Sequence, residues 1–298
     1  MTGQADPVEE ALAALARSER ELGPDHPATL DALEDLADAS GDSGDLDAVV
    51  QITRQLLAER ERVLGATDHA TLRTGEDLAR ALLDLGNIDD AVEVLETTLA
   101  RLEGMADTGP EDTLEARFIL ADAAARSGEA AAAIELHRSV LADRDHLLGP
   151  DDGDTIRSRD ALAAAYTTTG ETERALSLLG QNVASLERAL GDDHPETIAA
   201  RDVLARASER SGNADYAAAL RRRTHESLAQ VLDPTDPEVL DALTELALVA
   251  ARAGRFDDAT GYVAKTLQIR WRTLGPDHPA TIATQDQLAA IREAAEGR

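Results

Sequence analysis

Leu22–Leu30 reads LGPDHPATL, and close copies of this nine-residue stretch recur along the chain at a fixed interval. Leu64–Leu72 reads LGATDHATL, Leu190–Ile198 reads LGDDHPETI and Leu274–Ile282 reads LGPDHPATI. One threonine in these copies keeps a step of 42 residues: Thr29, Thr71, Thr113, Thr155, Thr197 and Thr281, with Val239 in the remaining place. A 42-residue unit therefore recurs seven times without insertion and accounts for almost the whole chain.

Two other features keep the same step. A Leu-Ala pair recurs in every unit: Leu36-Ala37, Leu78-Ala79, Leu120-Ala121, Leu162-Ala163, Leu204-Ala205, Leu246-Ala247 and Leu288-Ala289. Glycines recur in two columns, the first Gly44, Gly86, Gly128, Gly170, Gly212 and Gly254, the second Gly23, Gly65, Gly149, Gly191 and Gly275. Leucine at helical spacing between glycines is typical of paired helices with tight turns.

Each column predicts a helix boundary. Pro27 and its equivalents stand where a first helical turn begins, because proline lacks only an N–H that would be unpaired there. We expect a helix of about 13 residues from this proline to the first glycine column, followed by one of roughly 20 residues. The second glycine column, beginning with Gly23, is expected to end that longer helix in a left-handed conformation.

A single helix pair cannot bury its apolar stripe, whereas identical pairs stacked side by side share one core. The sequence therefore predicts an all-α solenoid as a single domain over 1–298, with about 14 helices. Six 42-residue repeats span 23–278. A half repeat at 1–22 supplies a helix over Pro7–Leu22, and a half repeat at 279–298 supplies one over Pro279–Glu296.

Composition narrows the functional classes. The chain has 58 acidic and 29 basic residues, a formal net charge of −29, which disfavours nucleic acid and anionic membranes as partners. It has no cysteine and only 2% aromatic residues, too few for a base-stacking surface. No apolar stretch approaches membrane-spanning length, and the N-terminus lacks a signal-peptide pattern, so we expect a cytoplasmic protein.

The spacing of Leu78-Ala79, Gly86 and Ala91 resembles the tetratricopeptide repeat. The LGPDHPATL linker is similar to that of kinesin-light-chain-type repeats of about 42 residues, and similar arrays are common in actinobacterial proteins. The resemblance implies a right-handed superhelix whose concave groove, lined by the first helix of each pair, binds peptides or protein segments. It does not name the partner.

Patterns that suggest chemistry have simpler explanations. Gly41–Asp45 resembles the surroundings of a trypsin-like serine but falls in a predicted helix–helix turn. Lys265, the single lysine, has no glycine-rich phosphate loop around it. Asp151–Asp154 is more consistent with a degenerate linker than with a calcium site. We therefore expect no catalytic residue, no metal and no cofactor.

Histidine and tryptophan give weaker signals. His26, His194 and His278 occupy the same linker position in separate repeats, and His225 falls in an apolar column, as a core histidine would. Trp271, the only tryptophan, is either a docking anchor for a partner or a cover for the last second helix.

The strongest functional signal is the column two residues before the Leu-Ala pair, which in the family usually faces the groove. It is mostly acidic: Glu34, Glu76, Phe118, Asp160, Asp202, Thr244 and Asp286. Asparagine is common there in the closest relatives and is missing here. Three arginines stack one position earlier and are further candidates for binding in the groove: Arg117, Arg159 and Arg201.

Two interpretations of these columns stay open. The acids can form a ladder that receives an Arg- or Lys-bearing segment. Alternatively, the acids and arginines pair with each other between repeats and fix only register and solubility.

Three functional hypotheses follow. The first is a non-enzymatic protein- or peptide-binding scaffold, with a basic segment as the candidate ligand. The second is a sensor in which a peptide or small signal changes the superhelix, and the third is an enzyme built on a helical solenoid. The half repeats at the two ends also suggest an end-to-end homodimer.

Overall fold

The computed structural model describes residues 6–106 and 109–297. Over these residues the chain forms fourteen α-helices and one 3-10 helix: α1 Pro7–Leu22, α2 Pro27–Asp42, α3 Leu46–Val63, α4 His69–Leu85, α5 Ile88–Glu103, the 3-10 helix Pro110–Thr113, α6 Leu114–Arg126, α7 Ala130–Leu147, α8 Gly153–Thr169, α9 Thr172–Ala189, α10 Pro195–Arg210, α11 Ala214–Val231, α12 Pro237–Arg252, α13 Phe256–Leu274 and α14 Pro279–Glu296. The predicted all-α class, helix number and both terminal helices are confirmed. Residues 1–5, 107, 108 and 298 of the predicted repeats lie outside the described residues.

The linker motif works as a helix start. His26 is the N-cap of α2, where its Nδ1 accepts a hydrogen bond of 3.2 Å from the N–H of Ala28, and Pro27 follows as the first helical residue. His194 and His278 cap α10 and α14 in the same way. The predicted linker role of these three histidines is confirmed, since each pairs one otherwise unpartnered N–H of a helix start.

The two glycine columns end helices differently. Gly86 and Gly170 follow α4 and α8 with φ of 87° and 81° and ψ near zero, the left-handed conformation. Gly23 and Gly275 also have positive φ, but their ψ values of 164° and 167° are extended. The left-handed ending predicted for the second column is therefore wrong; its backbone occupies a region that is open almost only to glycine.

Replacing Gly170 by alanine is expected to lower the free energy of unfolding by about 1 kcal/mol, because a Cβ is strained at its positive φ. Open space surrounds the added Cβ, so the effect isolates the backbone. Gly153→Ala, in ordinary helical backbone at the start of the same helix, is the control and should be neutral or slightly stabilising. Urea unfolding curves measure both; equal effects would contradict the explanation.

The predicted difference in helix length is wrong. Apart from α6, the first helices have 16–18 residues and the second helices 16–19, because the helix after each linker continues to within two residues of the turn glycine where one follows.

The helices form two compact units, Met1–Gly149 and Pro150–Arg298. Within each unit, consecutive helices pack side by side. The first has a core around Leu78, Leu82 and Leu95 on α4 and α5, and the second has one around Leu246 and Val263. Members of the Leu-Ala columns are buried in both units, as expected for the shared core. The single domain over 1–298 stays a prediction.

Candidate functional site

Depressions lie between successive first helices, with the intervening second helix as their floor. In the second unit, the α11 pocket of about 600 Å³ lies between α10 and α12, and the α9 pocket of about 660 Å³ lies between α8 and α10. In the first unit, the α3 pocket of about 340 Å³ lies between α2 and α4. In all three pockets, first helices form the walls.

The acidic column contributes to each pocket. Glu34 lines the α3 pocket, Asp160 the α9 pocket and Asp202 the α11 pocket. Glu76 is half-buried on α4, and Asp286 is exposed on α14. Phe118 is 6% exposed, which places it in the core instead of on a binding surface.

The three acidic-column residues that line the pockets have partners on the second helices. Glu34 accepts a hydrogen bond of 2.6 Å from Arg60 of α3. Asp160 accepts one of 2.7 Å from the Asn182 amide of α9. Asp202 binds the guanidinium of Arg221 on α11 and also that of Arg206. The floor helix therefore holds these carboxylates in place.

Two of the stacked arginines are buried and form hydrogen bonds within the protein. Arg159 and Arg201 are 4% and 0% exposed, so neither offers its charge to the surface. Arg159 donates to the Pro150 carbonyl at 2.8 Å, and Arg201 donates to Glu187 at 3.0 Å and to Asp192 at 3.1 Å.

Arg117 is half-buried and binds Asp143 at 2.8 Å. Each of the three arginines thus ties its first helix to the neighbouring linker or second helix. Glu34 and Asp202 bind arginines outside this stacked column. The predicted pairing between the acidic column and the arginine column is therefore not what these two acids show.

Four carboxylates of the first helices have raised pKa values: Asp38, Glu76, Asp77 and Asp160. Burial and the neighbouring Asp77 raise the pKa of Glu76 to about 7, against the opposing charges of Arg80 and Arg73 and a hydrogen bond from the backbone of Ala116. Burial also raises the pKa of Asp160, against the hydrogen bond from Asn182. Burial without a full counter-charge is the common cause.

Neither metal ligation nor membrane insertion is indicated where the chain is described. Residues 6–106 and 109–297 contain no cluster of three or more His, Asp or Glu side chains placed to hold a metal ion. No helix in these ranges has both the length and the apolar character needed to cross a bilayer.

Comparison with known families decides the identity of the repeats. Models described as "Tetratricopeptide repeat" match residues 76–145, 155–196 and 238–298, together more than half of the chain. The chain is a tetratricopeptide repeat protein. A comparison with curated proteins finds no match.

Solved structures agree with this assignment. The nearly identical TPR-like repeats of a kinesin light chain from Podosopora anserina are 28% identical, cover 69% of this chain and 98% of that chain, and give a TM-score of 0.58. BtubC (BKLC) from P. vanneervenii is 19% identical, with coverage of 83% and 94% and a TM-score of 0.57. The apo form of RapI is 11% identical, with coverage of 90% and 97% and a TM-score of 0.55. The last two show the fold alone. The tetratricopeptide repeat family, to which the chain belongs, supports a role as a protein-interaction scaffold.

The sequence analysis missed a second set of buried arginines in this tetratricopeptide repeat protein. Arg60, Arg144 and Arg270 occupy one column near the end of the second helices and are 5%, 1% and 9% exposed. Each meets an acid 29 positions earlier in its own repeat: Arg60 with Asp31 at 3.9 Å, Arg144 with Glu115 at 2.5 Å, and Arg270 with Asp241.

The repeats themselves carry the signal that could have revealed these pairs. Where the arginine position holds leucine instead, at Leu102, Leu186 and Leu228, the acid position holds Arg73, Arg157 and Ala199. An acid thus appears only with a buried arginine, as expected if an unpaired buried charge is costly.

Trp271 and His225 lie on second helices. The Trp271 side chain is 47% exposed on α13, which leaves it accessible to a partner. Its predicted role as a docking anchor stays a prediction. His225 is half-buried on α11, and burial together with the Lys265 ammonium lowers its pKa, against a hydrogen bond to the backbone of Val239.

Proposed function

We propose that this chain is a non-enzymatic scaffold whose first-helix grooves hold a basic segment of a protein partner. The observation that carries the proposal is a set of pocket-lining acids without ion-pair partners in the described part of the chain: Asp38, Asp77, Asp193 and Glu238. Unpaired carboxylates beside apolar surface favour a cation from a partner. The proposal assumes a cytoplasmic protein.

The net charge supports the same partner chemistry. With a formal charge of −29, the chain attracts cationic segments over the range of a Debye length, about 8 Å at physiological salt. Arginines already neutralise Glu34 and Asp202, so neither carboxylate needs a cation from a partner. The acids without partners are therefore the ones to test.

The test is affinity capture from the source cell's lysate with three baits. The groove variant carries Asp38→Asn, Asp77→Asn, Asp193→Asn and Glu238→Gln. A matched control carries four exposed second-helix acids changed to Gln, outside the three pockets: Glu93, Glu96, Glu173 and Glu226. Both variants remove four negative charges. A difference in partner recovery between them therefore depends on where the acids lie and not on the net charge.

We expect a partner that the native chain and the control retain, and that the groove variant and high salt release. Equal recovery by both variants would overturn the proposed groove, and no specific recovery by the native chain would overturn the scaffold.

A further inference from the structure

The α11 pocket combines an apolar concave surface with acids that have no ion-pair partner in the described residues. Its floor and ends include Leu228, Val231 and Leu232, and Ile198 with Ala199 forms part of the α10 wall. Val231 is 56% exposed, so this apolar surface is open to solvent. A volume of about 600 Å³ lies within the range of specific ligand sites.

The repeat pattern explains why the pocket is here. In three other repeats, a buried arginine and its acid occupy the positions of Leu228 and Ala199. In this repeat alone, both positions are apolar and carry neither charge. The substitution removes an ion pair and leaves short apolar side chains around an open volume.

A buried hydroxyl without a partner faces this pocket. Thr224 is 7% exposed and lines the pocket, and its Oγ1 has no hydrogen-bond partner among the described residues. Its equivalents Thr98 and Thr266 donate to the carbonyls four residues earlier, at 2.9 and 3.2 Å. The Thr224 hydroxyl thus lacks a partner that the same residue type has at the same position elsewhere.

A second polar atom shares this state. Arg221 is 8% exposed, and its terminal nitrogens bind Asp202 and Glu209, but its Nε is without a partner in the described residues. Two residues that line the pocket therefore each carry a buried donor without an acceptor, and a peptide carbonyl could supply that acceptor.

The rim of the pocket is acidic. Asp193 and Glu238 line it without an ion-pair partner in the described part of the chain, and Glu245 lies 3.9 Å from Arg221. A ligand with an apolar group beside a positive charge would complement this apolar pocket and its acidic rim. The α9 pocket shares Ala199 with the α11 pocket, so a ligand that leaves one can continue into the other, as an extended chain does.

We propose that the α11 pocket binds a peptide segment in which an aliphatic or aromatic side chain stands next to lysine or arginine. The apolar side chain packs against Leu228 and Val231, a backbone carbonyl accepts from the Thr224 hydroxyl or Arg221 Nε, and the cation meets Asp193 and Glu238. This inference rests on the proposed scaffold function and names the partner chemistry of one groove segment.

The probe is a library of random 12-residue peptides displayed on phage and selected on the full chain. Enriched peptides are synthesised with a fluorophore, and their dissociation constants are measured by anisotropy. We expect the enriched set to pair an apolar side chain with an adjacent lysine or arginine.

Two pocket variants and one control locate the binding. Ala242→Phe fills the pocket from the α12 wall and should weaken binding about tenfold or more. Thr224→Val keeps the shape, removes the hydroxyl and should weaken binding about fivefold, the equivalent of one hydrogen bond. Ala229→Phe, on the exposed face of α11, should leave affinity unchanged.

The thermal midpoint provides an independent readout. Thr224→Val should leave it unchanged or raise it, because it removes a buried unpaired hydroxyl, so lost affinity cannot be attributed to unfolding.

Each outcome separates the two proposals. If enriched basic peptides keep their affinity for both pocket variants but lose it when only Asp38 and Asp77 of the α3 pocket are changed to Asn, the α11 pocket is wrong and the scaffold stands. If no peptide is enriched, or the enriched peptides are acidic, both are wrong.

Discussion

Replacing Glu115 by alanine is expected to lower the free energy of unfolding by roughly 3 kcal/mol, because it removes the counter-charge of a buried arginine. Arg144 is 1% exposed, binds Glu115 at 2.5 Å and lies 4.9 Å from the centre of the Phe118 ring. Glu115 also binds Arg80 of α4, so its loss weakens the contact between α4 and α6. Urea unfolding followed by circular dichroism measures the change.

The double variant Glu115→Ala with Arg144→Leu is the critical comparison. It reproduces the combination that Ala199 and Leu228 already form, so the free energy of unfolding should return to within about 1 kcal/mol of the native value. A double variant as unstable as the single one would show that the arginine contributes through packing with Phe118 and not through its charge.

Replacing Glu76 by glutamine is expected to stabilise the protein by roughly 2 kcal/mol at pH 8 and to have little effect near pH 4. Burial raises the pKa of Glu76 to about 7 in the folded protein, against 4.5 for the ordinary side chain. Between these values the folded state holds a proton that the unfolded state has released. The free energy of unfolding therefore falls as the pH rises from 4.5 to 7, because the buried carboxyl of Glu76 must ionise in the folded protein.

Unfolding of both proteins at pH 4, 6 and 8 measures this difference. Glu96→Gln, at an exposed position on α5, is the control and should show no such trend. A stabilisation by Glu76→Gln that does not change with pH would mean that folding does not raise the pKa of Glu76.

Local chemistry made the helix boundaries predictable. A histidine or aspartate N-cap before proline, and a glycine with positive φ after the last turn, act within a few residues, so their spacing placed Pro7–Leu22 and the start of α14 at Pro279 correctly. The left-handed ending at Gly23 failed because a sequence shows that glycine is needed but not which positive-φ region it adopts.

The chemistry of the pockets was less predictable. Arg159 and Arg201 were placed on a groove from their column alone, but helix rotation and neighbouring linkers bury them. The partner of Arg144 lies 29 residues away on another helix, a distance that helical periodicity within one helix does not reach. The comparison of columns between repeats, rather than along one helix, is what contains that information.

The unbroken 42-residue register makes ligand recognition modular in this chain. Two positions per repeat decide whether the floor of a groove is charged and filled or apolar and open, and both belong to helices whose boundaries other residues fix. Leu228→Arg with Ala199→Asp should erase one recognition element while the backbone and the remaining repeats are kept. Specificity in such a protein can thus be rewritten by exchanging residue pairs between repeats, independently of the fold that carries them.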